Sequence, residues 1–301
     1  MTDYTEADVP SQAGRTVLIT GANTGIGYDT ARVFAQRGAR VLLGCRSEAR
    51  AAEAIDRIKA LQSDAKVQWL PLDLASLASV QAAAKTVNRQ EDLDVLVNNA
   101  GVMAPPRQTT ADGFELQFGV NHLGHFALTG RLLPKLINRP GARIVTVSSL
   151  AHRNGKIDFD DIHAERAYRR MARYGMSKMA NVLFTYELQR RLEAADAQAI
   201  AVACHPGGSV TELGRNVPLW LSWLLKPLSL VMNSSAEGAL PTLLAATGEN
   251  VSGADYFGPM RLGEMRHSAH RVDTAPAAKD AADAARLWAL SEELTGVRFT
   301  G

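Results

Sequence analysis

The chain has 301 residues, 46% of them hydrophobic, enough for one large α/β domain with a substantial core. Lysine and arginine number 33 against 31 acidic residues; the net charge of +2 gives no global reason to expect nucleic acid or an anionic membrane as partner and favours a small organic substrate. Two cysteines, Cys45 and Cys204, stand in no CxxC or Cys/His cluster, which argues against a disulfide framework and a metal site and fits a reduced, cytoplasmic protein.

Residues 1–14 contain Asp3, Glu6 and Asp8 and no apolar run, so they read as an N-terminal tail and not as a secretory signal. Strands are expected at 16–20, 40–44, 66–70, 93–98, 142–148 and 199–204, with a last one at 254–257. Near-continuous apolar runs of this kind mark strands buried on both faces. The amphipathic stretches 28–37 and 47–60 read as crossover helices, 177–192 as a long helix and 281–294 as a final one. Repeated β-α-β units predict a single Rossmann-fold α/β domain over 1–301, a doubly wound parallel sheet of about seven strands flanked by helices. Residues 217–232 are apolar but broken by Pro218, Lys226 and Pro227, too short and interrupted to span a bilayer.

The first strand runs into Thr20-Gly21-Ala22-Asn23-Thr24-Gly25-Ile26-Gly27 and then a helix. Glycines there let the backbone turn tightly and approach a pyrophosphate, whose charge meets amide N–H groups and the positive helix N-terminus. The spacing is Gly-x3-Gly-x-Gly, and alone it also fits a turn that merely needs glycine. Past the second strand, where an acidic residue would hold the ribose 2′-hydroxyl of NAD(H), stands Cys45-Arg46-Ser47. Arg46 offers a planar charged fork that suits a 2′-phosphate, so NADP(H) is favoured over NAD(H), against the alternative that Arg46 is a solvated charge opening a helix. Asp73-Leu74, Asn98-Asn99-Ala100-Gly101 and Ser148-Ser149 each follow the carboxyl end of a strand, where open parallel sheets place their ligands.

Tyr174 and Lys178 share one helix face by their i,i+4 spacing. A phenol is a poor acid/base at neutral pH, but a neighbouring ammonium favours the phenolate and lowers its pKa. Taken alone, such a pair also fits a half-buried ring beside a solvated lysine.

The glycine loop, Asn98 to Gly101, Asn121, Ser149, and Tyr174 with Lys178, in this order and at these separations, resemble the short-chain dehydrogenase/reductase family over nearly the whole chain. The Val120 to Phe126, Ser148 to His152 and Lys178 to Phe184 stretches, and the 25 residues from Ser149 to Tyr174, resemble its branch of retinol dehydrogenases and protochlorophyllide reductases. The resemblance implies a proton passed by Tyr174, a substrate oxygen bonded by Ser149 with Ser148 as the rival, a ribose bound by Lys178, and a relay water held by Asn121. It further implies Asp73 at the adenine, Asn98 beside the adenosine ribose, and Thr211 at the nicotinamide carboxamide, after the family's Pro206-Gly207. Gly21, Asn23, Thr24, Gly25, Ile26, Gly27, Arg46, Leu74, Ala100 and Gly101 complete the expected cofactor site, and no metal is required. His122, His125, His152 and His205 are expected to be packed or at the surface and not acid/base groups.

The resemblance also puts a substrate lid at 212–235. Its apolar character suits an apolar small-molecule carbonyl or alcohol, such as a retinoid, steroid or fatty chain; a subunit interface in a homo-oligomer and a membrane-surface contact are the alternatives. A protochlorophyllide-type C=C reductase and a non-catalytic NADP(H) sensor are the competing functions. A sensor would tolerate loss of Tyr174 or Lys178, and the chain keeps both.

Overall fold

The computed structural model describes residues 3–89, 92–208, 233–261 and 263–299. Short apolar runs, fully buried in the central strands and only partly so at the edges, pair side by side through their backbones and leave both faces to be covered by helices. Strands β1 (Thr16–Thr20), β2 (Arg40–Cys45), β3 (Val67–Pro71), β4 (Val95–Asn98), β5 (Arg143–Val147), β6 (Ile200–Cys204), β7 (Tyr256–Arg261) and β8 (Arg266–Arg271) form one sheet in the order β3-β2-β1-β4-β5-β6-β7-β8. All neighbours run parallel except β7 and β8.

The predicted sheet of about seven strands thus gains an eighth. Strand β8, Arg-His-Ser-Ala-His-Arg, carries no apolar run and is formed by antiparallel pairing with its neighbour at the sheet edge, where one-sided pairing tolerates a polar sequence.

Alternation along the strands sorts the core. Val17, Ile19, Val97, Val145 and Val202 pack under α1 (Gly25–Gln36) and α7 (Ser235–Thr247). Leu18, Leu96, Ile144 and Ala201 face α3 (Leu77–Asn88), α5 (Gly124–Leu136) and α6 (Arg170–Ala194) on the other side. Helix α2 (Glu48–Leu61) lies over β2 and β3, and α8 (Ala281–Thr295) packs on α6. Helix α6 begins about two turns before its expected start at 177, so Tyr174 lies inside the helix.

Between β4 and α5 the chain makes a short turn α4 (Leu116–Phe118) followed by a π-helical turn, Gly119–Leu123. The N-terminal stretch read as a tail is docked: Glu6 pairs with Arg32 at 2.5 Å, the Tyr4 hydroxyl meets Thr247 Oγ1 at 3.1 Å, and Val9 is buried. Downstream of β6, Asn233 N–H donates to Gly208 O at 2.8 Å and Asn233 Nδ2 to Pro206 O at 3.1 Å, so the two flanks of the 209–232 stretch are tied together. Thr211 and all but the last residues of the expected 212–235 lid lie outside the described residues. No helix among the described residues is long and apolar enough to cross a membrane.

Candidate active site

Where β1, β4 and β5 end, their loops and α6 wall a cavity of about 340 Å³. Its floor is the glycine loop. Gly21 takes φ +69°, and a Cβ there would lie 3.0 Å from Ala100 Cα. A Cβ on Gly27 would lie 2.5 Å from Asn99 Nδ2 and 2.6 Å from Gly21 O, so the helix can start this close to the turn only without a side chain. Thr24, the N-cap of α1, makes no side-chain cap, which leaves the first amides of the helix directed at the cavity. Glycine-lined backbone, open amides and a positive helix end suit a dinucleotide pyrophosphate, so the residues present fit a nicotinamide cofactor.

The opposite wall carries Tyr174 and Lys178, both 3% exposed. Lys178 Nζ donates to Val147 O at 3.0 Å and stands 5.8 Å from the Tyr174 ring centroid. Its ammonium is thus fixed by the end of β5, with the cavity in front of it. A Cβ on Gly101 would lie 3.5 Å from Lys178 Nζ and 3.3 Å from Asn121 Oδ1, so these two groups converge behind Gly101.

Two serines follow β5. Ser148 is fully buried and its Oγ donates to Lys178 O at 2.8 Å, whereas Ser149 keeps 7% exposure and caps the 3₁₀ turn Leu150–Asn154 by accepting from Ala151 N–H. That turn meets α6 backbone to backbone: a Cβ on Gly155 would lie 2.2 Å from Gly175 O. The contact packs the turn that Ser149 caps against α6 at Gly175, the residue after Tyr174. Sequence reasoning did not single out Gly155 or Gly175, and glycine on both sides of a helix contact is the signal that would have found them.

The remaining expected cofactor residues lie along the sheet edge. Arg46 is exposed just past buried Cys45 and pairs with no carboxylate among the described residues. Asp73 caps its own turn through Oδ1, which accepts from Ala75 N–H at 3.0 Å, and Leu74 is buried. Asn98 does not face the cavity. It is fully buried and its Nδ2 donates to Thr129 Oγ1 at 3.0 Å, while Asn99 lines the cavity and donates from Nδ2 to Thr20 O at 2.7 Å. Pro206 and Gly207 follow β6, held by the Asn233 amide and by Gly207 N–H donating to His205 Nδ1 at 3.2 Å.

All four singled-out histidines are packed, and none is at the surface. Burial pushes His122 down to about 3 and His125 to about 4, and it also lowers His152 and His205. They are neutral at pH 7 and serve as braces: His152 holds Ser149 O at 2.7 Å, and His205 Nε2 reaches Glu264 at 3.0 Å. Burial likewise raises the Cys45 thiol to about 11 and Cys204 to about 12, so both free thiols stay protonated.

Residues 15–221 match the family model described as short chain dehydrogenase. Retinol dehydrogenase 13 of Homo sapiens is 44% identical over 98% of this chain and 90% of its own length, and retinol dehydrogenase 14 of Homo sapiens 41% identical over 94% and 87%. A solved protein from Mycobacterium paratuberculosis is 41% identical over the whole of both chains, with a TM-score of 0.83.

Proposed function

Because the chain belongs to the short-chain dehydrogenase/reductase family, in its retinol dehydrogenase-like branch, and is an oxidoreductase acting on CH–OH or C=O groups, we propose that it uses NADP(H) on an apolar small molecule, with Tyr174 as acid/base. The observation that carries this reading is that buried Tyr174 and Lys178 share one cavity with the glycine cradle. The nicotinamide, when bound, supplies or accepts the hydride; the chain supplies orientation and the proton.

The Tyr174 hydroxyl gives its proton to the substrate oxygen in reduction and takes it in oxidation. Lys178, fixed on Val147 O, places a positive charge beside the ring that favours the phenolate, and its ammonium reaches for the nicotinamide ribose. Ser149 hydrogen-bonds the substrate oxygen; Ser148 is unsuited, its proton being given to Lys178 O. Asn121 continues the relay through a water. Its side chain is occupied, with Oδ1 accepting from Val102 N–H at 2.8 Å and Nδ2 donating to Val102 O and Ser177 Oγ, so the backbone carbonyl is the group left for that water.

Arg46 favours NADP(H), being an exposed guanidinium at the end of β2 with no acidic neighbour at Cys45. Gly21, Asn23, Thr24, Gly25, Ile26, Gly27, Ala100 and Gly101 line the cofactor path, with Asp73, Leu74, Pro206 and Gly207 at its ends; Thr211, assigned to the nicotinamide carboxamide, lies outside the described residues. Asn98 acts behind them as a brace. A retinoid or a comparable apolar alcohol or carbonyl suits the site, since Val102, Met103 and Pro105 line the cavity and the relatives are named retinol dehydrogenases. We assign the whole of 1–301 to one catalytic domain with a substrate-covering segment at 212–235, and a cytosolic setting to its free thiols.

The test is Tyr174→Phe assayed with NADPH and retinal or a long-chain aldehyde. Loss of only the proton-bearing oxygen should lower kcat by about 10²–10⁴ while leaving NADPH affinity near wild type. Turnover within a few-fold of wild type would remove Tyr174 from the role.

A further inference from the structure

His125 belongs to none of the expected site residues, yet it touches the loop bases on which the cavity rests. Its ring is 1% exposed, with Nδ1 3.0 Å from Asn121 O and Nε2 2.8 Å from Thr20 Oγ1. Thr20 Oγ1 accepts from Asn99 N–H and from Ala100 N–H, both at 2.9 Å. A hydroxyl has two lone pairs, so with both engaged its proton must be donated outward. The nearer acceptor is His125 Nε2 at 2.8 Å; Val97 O lies at 3.4 Å. Nε2 is therefore the bare nitrogen, and Nδ1 carries the hydrogen that is donated to Asn121 O. Burial keeps the ring neutral, and the charge on Lys178 opposes its protonation further.

Asn121 lies in the π-helical turn Gly119–Leu123, a local widening of the helix that recurs at functional sites. His122, next in sequence, ties that turn to α8 by donating from Nε2 to Ser291 Oγ at 2.8 Å, because the Ser291 hydroxyl gives its own proton to Leu287 O. One histidine ties the turn to α8 and the other to the end of β1.

We propose that His125 is a positioning residue of the proton relay: its Nδ1–H fills one lone pair of the Asn121 carbonyl and holds the other toward the relay water beside Lys178. The role rests on the relay described under Proposed function. Through Thr20 it joins three pieces, the end of β1, the Asn99–Ala100 turn and the Asn121 carbonyl, into one hydrogen-bonded unit.

Three substitutions separate positioning from packing. His125→Asn keeps an N–H donor near the place of Nδ1, His125→Gln puts its amide near the place of Nε2, and His125→Leu removes both. His125→Asn should keep kcat within about threefold of wild type. His125→Gln and His125→Leu should lower kcat about tenfold and raise the solvent deuterium isotope effect on kcat, with the NADPH dissociation constant unchanged within about twofold. The proposal is overturned if His125→Asn is no better than His125→Gln, if kcat simply follows Tm across the three, or if His125→Leu turns over normally. Ring ¹⁵N shifts of the unsubstituted protein give a test that needs no variant to fold: the Nδ1–H tautomer is expected, and the Nε2–H tautomer would overturn the assignment. Tyr174→Phe is assayed alongside. Retained turnover there would remove the relay itself, whereas an inactive Tyr174→Phe beside a normal His125→Leu would remove only the role of His125.

Discussion

Gly27→Ala sets two effects of opposite sign against each other. An alanine in the first turn of α1 should stabilise the helix by up to about 1 kcal/mol through propensity alone. The added methyl, however, would sit 2.5 Å from Asn99 Nδ2 and 2.6 Å from Gly21 O, roughly 1 Å inside normal contact. Neither neighbour is a free side-chain end: Asn99 Nδ2 is bonded to Thr20 O at 2.7 Å, and Gly21 N–H to Gly44 O at 2.7 Å. Relief therefore loses a hydrogen bond worth about 1 kcal/mol or strains packed backbone by about 1–3 kcal/mol. With the full helix gain set against that cost, the net destabilisation is about 0–2 kcal/mol. The displaced atoms line the cofactor cradle, so even 1.4 kcal/mol of misfit toward the ligand would weaken NADPH about tenfold. Urea unfolding and a fluorescence titration with NADPH read the two quantities. A variant with raised stability and unchanged NADPH affinity would show that the close approach of helix and turn is not needed, and with it the fit of the cradle to a dinucleotide would fall.

Two further outcomes follow from charge. Arg46→Ala should weaken NADPH by tenfold or more and leave NADH nearly unchanged, as expected for loss of a charge-assisted contact of about 1.5–3 kcal/mol; equal effects on the two, measured by titration, would place Arg46 away from the 2′-phosphate. The folded protein should also weaken in mild acid. His122 and His125 stay neutral down to about 3 and 4 when folded but protonate near 6.5 when unfolded, so stability is full above that value and falls as pH drops below it. At up to 1.36 kcal/mol per unit for each ring, the loss between pH 7.5 and 5.5 is about 2–3 kcal/mol; a flat urea midpoint over that range would contradict the neutral, buried rings.

What could be read before folding was whatever local pattern controls. Strands β1 to β6, the glycine turn and the Tyr174–Lys178 face all follow from apolar runs or helical spacing, and the structure puts them where those patterns require. The failures lie where a distant partner decides. Strand β8 exists because β7 offers it hydrogen bonds, and nothing in Arg-His-Ser-Ala-His-Arg announces that. Asn98 and Asn99 are adjacent and chemically identical, yet pleat parity sends Asn98 with Leu96 into the helix side, while Asn99 lies past the strand and meets the cavity. Counting parity from Leu96 would have separated them. The role of His125 was invisible for a further reason: it depends on a hydroxyl 105 residues away whose lone pairs are already taken.

The tie between Gly208 and Asn233 bears on how such a protein diversifies. The proposed catalytic residues Asn121, Ser149, Tyr174 and Lys178 all precede the first anchor, and α7 follows the second. A segment joined to the body at two points that already touch can be swapped, lengthened or shortened between relatives without pulling on Tyr174, Lys178 or the glycine turn. Cuts at Gly208 and Asn233 would therefore exchange the 209–232 interval between two points that the structure already holds together.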